Sequence, residues 1–155
     1  TGALVTFLLN IPMRFTFEKN FYDARQQRAQ RPQELKQLMC QAWKDWYQDT
    51  MSEPDPMLWA TKLHFYIPEL SFYNFPYLFG YLFSLGVYAK RQHYGESFFG
   101  RYRALLEDTG RMTANDLARK HLDVDLTQPH FWEESLKSIE AQLDAFDAML
   151  STHNC

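Results

Sequence analysis

Apolar residues recur at three- and four-residue steps along most of the chain, the spacing that places side chains on one face of an α-helix. The clearest example lies near the C-terminal end. There, gaps of 4, 3, 4, 3 and 4 separate six apolar residues: Trp132, Leu136, Ile139, Leu143, Phe146 and Leu150. Thr127 and Pro129 mark the start of this helix. The stripe predicts that the helix faces a partner helix.

The first segment is helical by the same spacing, but it contains a proline. Pro12 must either kink this segment or lie in the first turn of a helix that starts after Asn10. The helix is predicted to end near Ala29, and Pro32 opens the next one.

Turn and capping residues delimit the later elements. Residues 50–58 contain two prolines among polar neighbours and predict a loop. Gly110 is expected to stop a short helix, and Thr113 to cap another with Asp116 three residues on. Since no stretch alternates in the manner of a β-strand, we predict an all-α fold in which residues 1–155 form a single helical domain.

The segment from His64 to Lys90 is dominated by aromatic residues, and residues 70–89 carry no charge. Three structures explain such a stretch: a membrane span, a core helix with tyrosine tips at the surface, or a wall of hydroxyl groups facing a ligand. On a helical wheel drawn from Tyr73, four hydroxyl-bearing residues fall within about 60° of one another: Tyr77, Tyr81, Ser84 and Tyr88. Tyrosines spread through the segment argue against a span, because a membrane helix keeps its tyrosines near its ends.

Composition and charge narrow the function classes. With 16 lysines and arginines against 19 acidic residues, the formal charge of -3 offers no general field for nucleic acid or an anionic membrane. The short basic run of Arg25, Arg28 and Arg31 is interpreted as a solvated helix end. Cys40 and Cys155 do not make a disulfide framework, and no secretory signal is present, so a reducing, cytoplasmic location is expected.

The chain carries no complete catalytic motif. None of its histidines lies in an H-E-x-x-H arrangement. His130 with Glu133 or Glu134 is the nearest helical ligand pair, and we interpret it as a solvated first turn because a zinc site needs three or four ligands. Tyrosine hydroxyls can donate to an oxygen that gains negative charge, but they do not supply a nucleophile. Taken as a complete protein, the chain is predicted not to be an enzyme.

Several longer motifs are more specific. They are FYNFPYLFGYLFSLGVYA preceded by LHFY, YRALLEDTGRMTANDLARKHLDVDLTQPHFW after it, LLNIPMRFTFEKNFYDAR near the start, and the W-Y-x-D of Trp46 to Asp49. Together they resemble the C-terminal part of the oligoendopeptidase F type of zinc oligopeptidases, relatives of thimet oligopeptidase, over nearly all of the chain. The resemblance implies the multi-helix C-terminal part of a larger, helical, zincin-like oligopeptidase.

In that family the H-E-x-x-H helix and a later glutamate hold the zinc, and both precede the part resembled here. The resemblance therefore implies zinc in the full-length parent and none bound by this chain, which we expect to be a fragment that begins within a helix at Thr1. The expected function is the substrate-binding portion of a zinc metalloendopeptidase that hydrolyses short peptides. The expected partners are an oligopeptide substrate and the upstream part of the same polypeptide, with no nucleic acid and no membrane.

The same resemblance assigns roles to residues of this chain. Tyr81, Tyr77 and His64 are expected to be catalytic, as donors to the developing oxyanion or an adjacent carbonyl. Tyr73 and Tyr66 are expected to bind substrate. Which of Tyr77 and Tyr81 serves the oxyanion stays open. The alternative is a non-catalytic helical module that binds a peptide or a protein, in which His64 is an ordinary histidine satisfied by its neighbours.

Overall fold

A computed structural model describes residues 2–153, which form helices and turns without a β-strand. Within this range the α-helices are α1 (Gly2–Val5), α2 (Ile11–Gln27), α3 (Pro32–Tyr47), α4 (Phe75–Tyr94), α5 (Phe98–Asp108), α6 (Ala114–Leu122) and α7 (His130–His153). The predicted all-α class is confirmed for this part of the chain. The expectations placed on Thr1 and Cys155 lie outside the described residues.

Pro12 lies in the first turn of α2, directly after the π-helical turn Thr6–Asn10. Proline has no N–H to donate to the preceding turn, and the wider π turn, whose hydrogen bonds reach five residues back, allows the change of register. The second of the two alternatives for Pro12 is thus the observed one. α2 ends at Gln27, close to the predicted end near Ala29.

The chain forms two compact units, Thr1–Phe79 and Gly80–Cys155, and the boundary falls within α4. The expected single domain stays a prediction. In the first unit α2 packs against α3. The buried residues of its core are Met13, Phe17, Met39, Ala42 and Tyr47. Met13 and Phe17 lie four positions apart on α2, and Met39 and Ala42 lie three apart on α3, which places each pair on one helix face.

Between the end of α3 and Met57 the chain forms no helix, in agreement with the loop predicted at residues 50–58. Three short 3-10 turns follow: Leu58–Thr61, Leu63–Tyr66 and Pro68–Leu70. α4 begins only at Phe75, so Tyr73 precedes the helix. The helical wheel drawn from Tyr73 is therefore wrong in its first member.

Among residues 2–153, no helix combines the length and apolar character needed to cross a bilayer.

The core of the second unit involves residues of α4, α5, α6 and α7. Its buried members are Val87, Leu105, Leu117, Ala118, Leu122 and Phe131. Two predicted helix ends are confirmed here. The Asp116 N–H donates to Thr113 Oγ1 at 3.2 Å, and Gly110 follows α5 with φ of +82°, a left-handed conformation that favours glycine.

α7 buries only part of the apolar stripe that its periodicity predicts. Phe131, Ser135 and Ile139 are buried, whereas Leu136 is exposed and every residue from 140 to 151 is exposed as well. Of the predicted stripe, Ile139 is buried and Trp132 is partly buried against the core, whereas the other four members are exposed. A partner helix for those four stays a prediction. The heptad-like spacing shows that α7 has an apolar face. The neighbouring elements cover only the first turns of the helix, up to Ile139.

Gly86→Ala is expected to destabilise the chain. A Cβ at this position would lie 2.6 Å from Ser135 Oγ and 2.7 Å from Phe131 Cε2. Overpacking of this kind costs roughly 1–3 kcal/mol of unfolding free energy. Urea denaturation measures the change.

Gly80→Ala is the matched control in the same helix. Apart from the adjacent backbone of its own helix, nothing lies within 4 Å of its Cβ position, and removing an unstrained glycine stabilises a protein by roughly 0.4–1 kcal/mol. Equal effects of the two substitutions would contradict the close packing at Gly86.

Candidate functional site

A tight turn at residues 70–75 leads into α4 and sets the direction of the side chains that follow. Phe72 has φ of +55°, a left-handed conformation that costs a non-glycine residue about 1–2 kcal/mol. Glu18 of α2 compensates, because its Oε1 accepts a hydrogen bond from the Phe72 N–H at 2.7 Å. The Phe72 ring also packs against Phe15 and Tyr22, at centroid distances of 5.1 and 5.6 Å. α2 thus holds the turn both by a hydrogen bond and by ring packing.

Four side chains beside this turn form the tyrosine–histidine cluster: His64, Tyr73, Asn74 and Tyr77. The hydroxyl oxygens of Tyr73 and Tyr77 lie 2.8 Å apart. Asn74 Nδ2 lies 2.9 Å from His64 Nε2, and the His64 ring stacks on Tyr73 at 5.5 Å between centroids. Asn74 is buried, whereas Tyr73 and Tyr77 are 41% and 48% exposed. The two tyrosines of the cluster therefore lie at the surface, while the Asn74 amide is buried and the His64 imidazole is half-buried.

The Asn74 amide determines which nitrogen of His64 carries the proton. An amide NH₂ only donates, so Nε2 accepts from it and the neutral ring carries its hydrogen on Nδ1. That Nδ1–H has no hydrogen-bond partner within residues 2–153. In the tyrosine pair one hydroxyl donates to the other, which leaves one O–H free to donate outward. The cluster thus offers at least two donors to an oxygen atom of a ligand.

Electrostatics keep these donors neutral. Burial lowers the pKa of His64 below 6.5, and the positive charges of Arg14 and Lys62 lower it further. The ring is therefore uncharged at pH 7, as the hydrogen bond from Asn74 requires. The hydrogen bond with Tyr73 raises the pKa of Tyr77, so this phenol keeps its proton. Neutral donors in a positive potential suit an oxygen with partial negative charge.

The structure brings together three of the five predicted site residues: His64, Tyr73 and Tyr77. Tyr66 lies outside the cluster, where its hydroxyl donates to a backbone carbonyl six residues earlier at 3.2 Å. Tyr81 belongs to the second unit and is half-buried there. Its catalytic role stays a prediction.

Sequence reasoning missed three residues that shape the site, namely Asn74, Arg14 and Glu18. A signal for two of them exists in the first helical segment, where Asn10 at the end of the π-helical turn and Arg14 and Glu18 of α2 recur every four positions among apolar residues. They lie on one helix face. Asn10 donates to the Tyr47 hydroxyl at 3.2 Å, and Arg14 Nε is buried without a hydrogen-bond partner among the described residues.

A metal centre does not fit the described residues. Within residues 2–153, no three His, Cys, Asp or Glu side chains lie close enough to hold a metal ion. In the helical pair singled out in the sequence, His130 Nε2 lies 3.3 Å from Glu134 Oε1. Glu134 also forms an ion pair with Lys90, whose Nζ lies 2.7 Å from Glu134 Oε2. We therefore assign no chemical step of this part of the chain to a metal.

Comparison of the chain with profiles of protein families, with characterised proteins and with solved structures gives no match. The likeness to oligoendopeptidase F therefore rests on the quoted motifs alone and stays a prediction.

Arg14→Met is expected to raise the pKa of His64, because it removes one of the two positive charges that lower it. An NMR titration of the imidazole carbon-bound protons measures this pKa directly. Arg25→Met is the matched control, since Arg25 is an exposed residue of the same helix and does not act on His64.

The same substitution changes the pH dependence of stability. Because the pKa of His64 is lower in the folded chain than in the unfolded one, the free energy of unfolding decreases as pH falls from 6.5 through the folded pKa. Arg14→Met should reduce this decrease. An unchanged His64 pKa in Arg14→Met would show that the Arg14 charge does not reach the ring.

Proposed function

We propose that the tyrosine–histidine cluster binds the backbone of an oligopeptide, and that the chain is the substrate-binding portion of a zinc-dependent oligoendopeptidase. One observation carries the proposal. The joined, exposed hydroxyls of Tyr73 and Tyr77 lie beside a neutral His64 whose orientation is held by Asn74 at 2.9 Å. A peptide backbone offers carbonyl oxygens, which require such donors.

The proposed chemistry is stabilisation of charge. When water adds to a peptide carbonyl, its oxygen gains negative charge, and donors aimed at that oxygen stabilise the transition state more than the ground state. In this proposal His64, Tyr77 and Tyr81 donate to the oxyanion or an adjacent carbonyl. Tyr73 orients the peptide, and Tyr66 is a further substrate contact. The positive potential of Arg14 and Lys62 at His64 favours the same charge.

Zinc is assigned by this proposal to the upstream part of a full-length parent polypeptide. The support is the resemblance of the quoted motifs, together with the meeting of His64, Tyr73 and Tyr77 at the positions for which the resemblance implies roles. The roles of these side chains as donors follow from their own geometry and do not depend on where the metal ligands lie.

A second candidate is a non-catalytic helical module that binds a peptide or a protein. The observation that favours it is that the contacts orienting the cluster, Asn74 to His64 and Tyr73 to Tyr77, lie within residues 64–77 and involve no metal ligand. Peptide binding by these donors requires no metal. The upstream coding sequence separates the two candidates, because only the peptidase requires an H-E-x-x-H motif there.

Tyr77→Phe and Tyr81→Phe are each expected to lower kcat of the full-length parent by about 100- to 1,000-fold, the effect of removing one oxyanion donor. Hydrolysis of short internally quenched peptides measures the change, with circular dichroism to verify the fold. Tyr102→Phe, a change of the same kind at an exposed tyrosine of α5, is the control and should leave kcat unaltered.

Near-normal kcat in both variants would remove the tyrosines from the reaction. A loss in only one of the two would show which hydroxyl serves the oxyanion.

The chain of residues 1–155 alone is expected to bind no zinc at stoichiometric level and to hydrolyse no peptide. The reason is that the proposed ligands lie upstream in the parent. Metal analysis after exposure to zinc and dialysis, with a peptide-hydrolysis assay on the same sample, tests both parts. One tightly held zinc ion per chain would contradict the assignment of the metal site.

A further inference from the structure

A cavity of about 240 Å³ lies in the first unit next to Phe65. Six of the residues that line it are aromatic: Phe17, Phe21, Tyr22, Trp59, Phe65 and Tyr66. Leu35 and Glu18 complete the wall. Tyr66 is 55% exposed and Tyr22 is 37% exposed, so part of the lining lies at the protein surface.

Two residues connect this cavity to the tyrosine–histidine cluster. Phe65 lines the cavity, and its ring centroid lies 4.5 Å from that of His64. Glu18 also lines the cavity, and its carboxylate accepts the hydrogen bond from Phe72 in the turn before Tyr73. Successive residues of an extended peptide advance by only about 3.3–3.6 Å. A peptide whose carbonyl lies at the cluster therefore has side chains within reach of the cavity.

The size of the cavity restricts what it can take. An apolar cavity of about 150 Å³ binds a benzene molecule, whereas pockets for drug-sized ligands measure roughly 300–1,000 Å³. A volume of about 240 Å³ thus suits one ring-bearing side chain.

The wall chemistry points to the same class of ligand. Aromatic rings prefer tilted and edge-to-face neighbours, and Phe17 and Phe65 already meet edge to face at 5.3 Å between centroids. A further ring extends this arrangement, whereas a charged side chain would lose its hydration against the aromatic part of the wall. The one carboxylate of the wall, Glu18, already accepts the hydrogen bond from the Phe72 N–H. We propose that the cavity is a specificity pocket for an aromatic side chain of the bound peptide. The inference rests on the proposed function in naming a peptide as the ligand.

The test is a titration of the chain with N-acetylphenylalaninamide, followed by the NMR shift of the Trp59 indole N–H. This group is a suitable reporter because Trp59 lines the cavity and its Nε1 is buried without a hydrogen-bond partner among the described residues. We expect a saturable shift at Trp59. N-acetylalaninamide, which lacks the ring, should bind at least about tenfold more weakly. Equal affinity of the two probes, or no shift at Trp59, would overturn the proposal.

Leu35→Phe tests the location of the site. The larger side chain is expected to fill part of the cavity and to weaken binding of the phenylalanine probe by about tenfold. Leu63→Phe is the matched control, because Leu63 is 73% exposed and does not line the cavity. Equal binding by the two variants would overturn the proposal.

A second variant covers the case in which Leu35→Phe fails to fold. Phe21→Ala enlarges the cavity, and it should shift the preference of the chain toward the larger N-acetyltryptophanamide. An unchanged preference would also count against the pocket. Neither titration involves metal or turnover. A failure of the pocket proposal therefore leaves the kcat prediction for Tyr77→Phe intact, and an unaltered kcat in Tyr77→Phe leaves the titration result intact.

Discussion

The hydrogen bond from the Phe72 N–H to Glu18 is the contact on which the candidate site depends. Phe72 has a left-handed backbone that costs about 1–2 kcal/mol, and a hydrogen bond to a charged acceptor contributes about 1.5–3 kcal/mol. Burial opposes the charged carboxylate and raises the pKa of Glu18, which reduces the net gain. The packing of the Phe72 ring on Phe15 and Tyr22 therefore shares in holding the turn. Tyr73 and Asn74 point toward His64 because this turn exists.

Charge and geometry act in the same direction at His64. Asn74 can donate to Nε2 only while the ring is neutral, and burial together with Arg14 and Lys62 lowers the pKa of the ring so that it is neutral at pH 7. The lowered pKa of His64 and the raised pKa of Tyr77 both favour the neutral forms, so the cluster offers uncharged hydrogen-bond donors. Donors of this kind are the basis of the proposal that the cluster binds an oxygen atom of a peptide.

Local patterns predicted the helices well where local interactions decide them. Thr113 caps α6, Gly110 ends the turn after α5, and Pro12 lies in a first helical turn, since each outcome depends on the backbone preferences of a few neighbouring residues. The same patterns gave less for α7, where Ile139 of the apolar stripe is buried but Leu136 is exposed, and Phe131 and Ser135 are buried outside the stripe. Periodicity shows which face is apolar, and only the neighbouring elements decide how far it is covered.

The sequence by itself determined the all-helical class, most helix ends and the aromatic segment from which His64, Tyr73 and Tyr77 were chosen. The tertiary structure alone decided that Tyr73 precedes α4, that Asn74 orients His64, and that Arg14 and Glu18 act on the site from α2. Glu18 and Phe72 are 54 positions apart in the chain. Helical propensity and capping act within a few residues, whereas a contact over this separation forms only when α2 and the turn before α4 pack together.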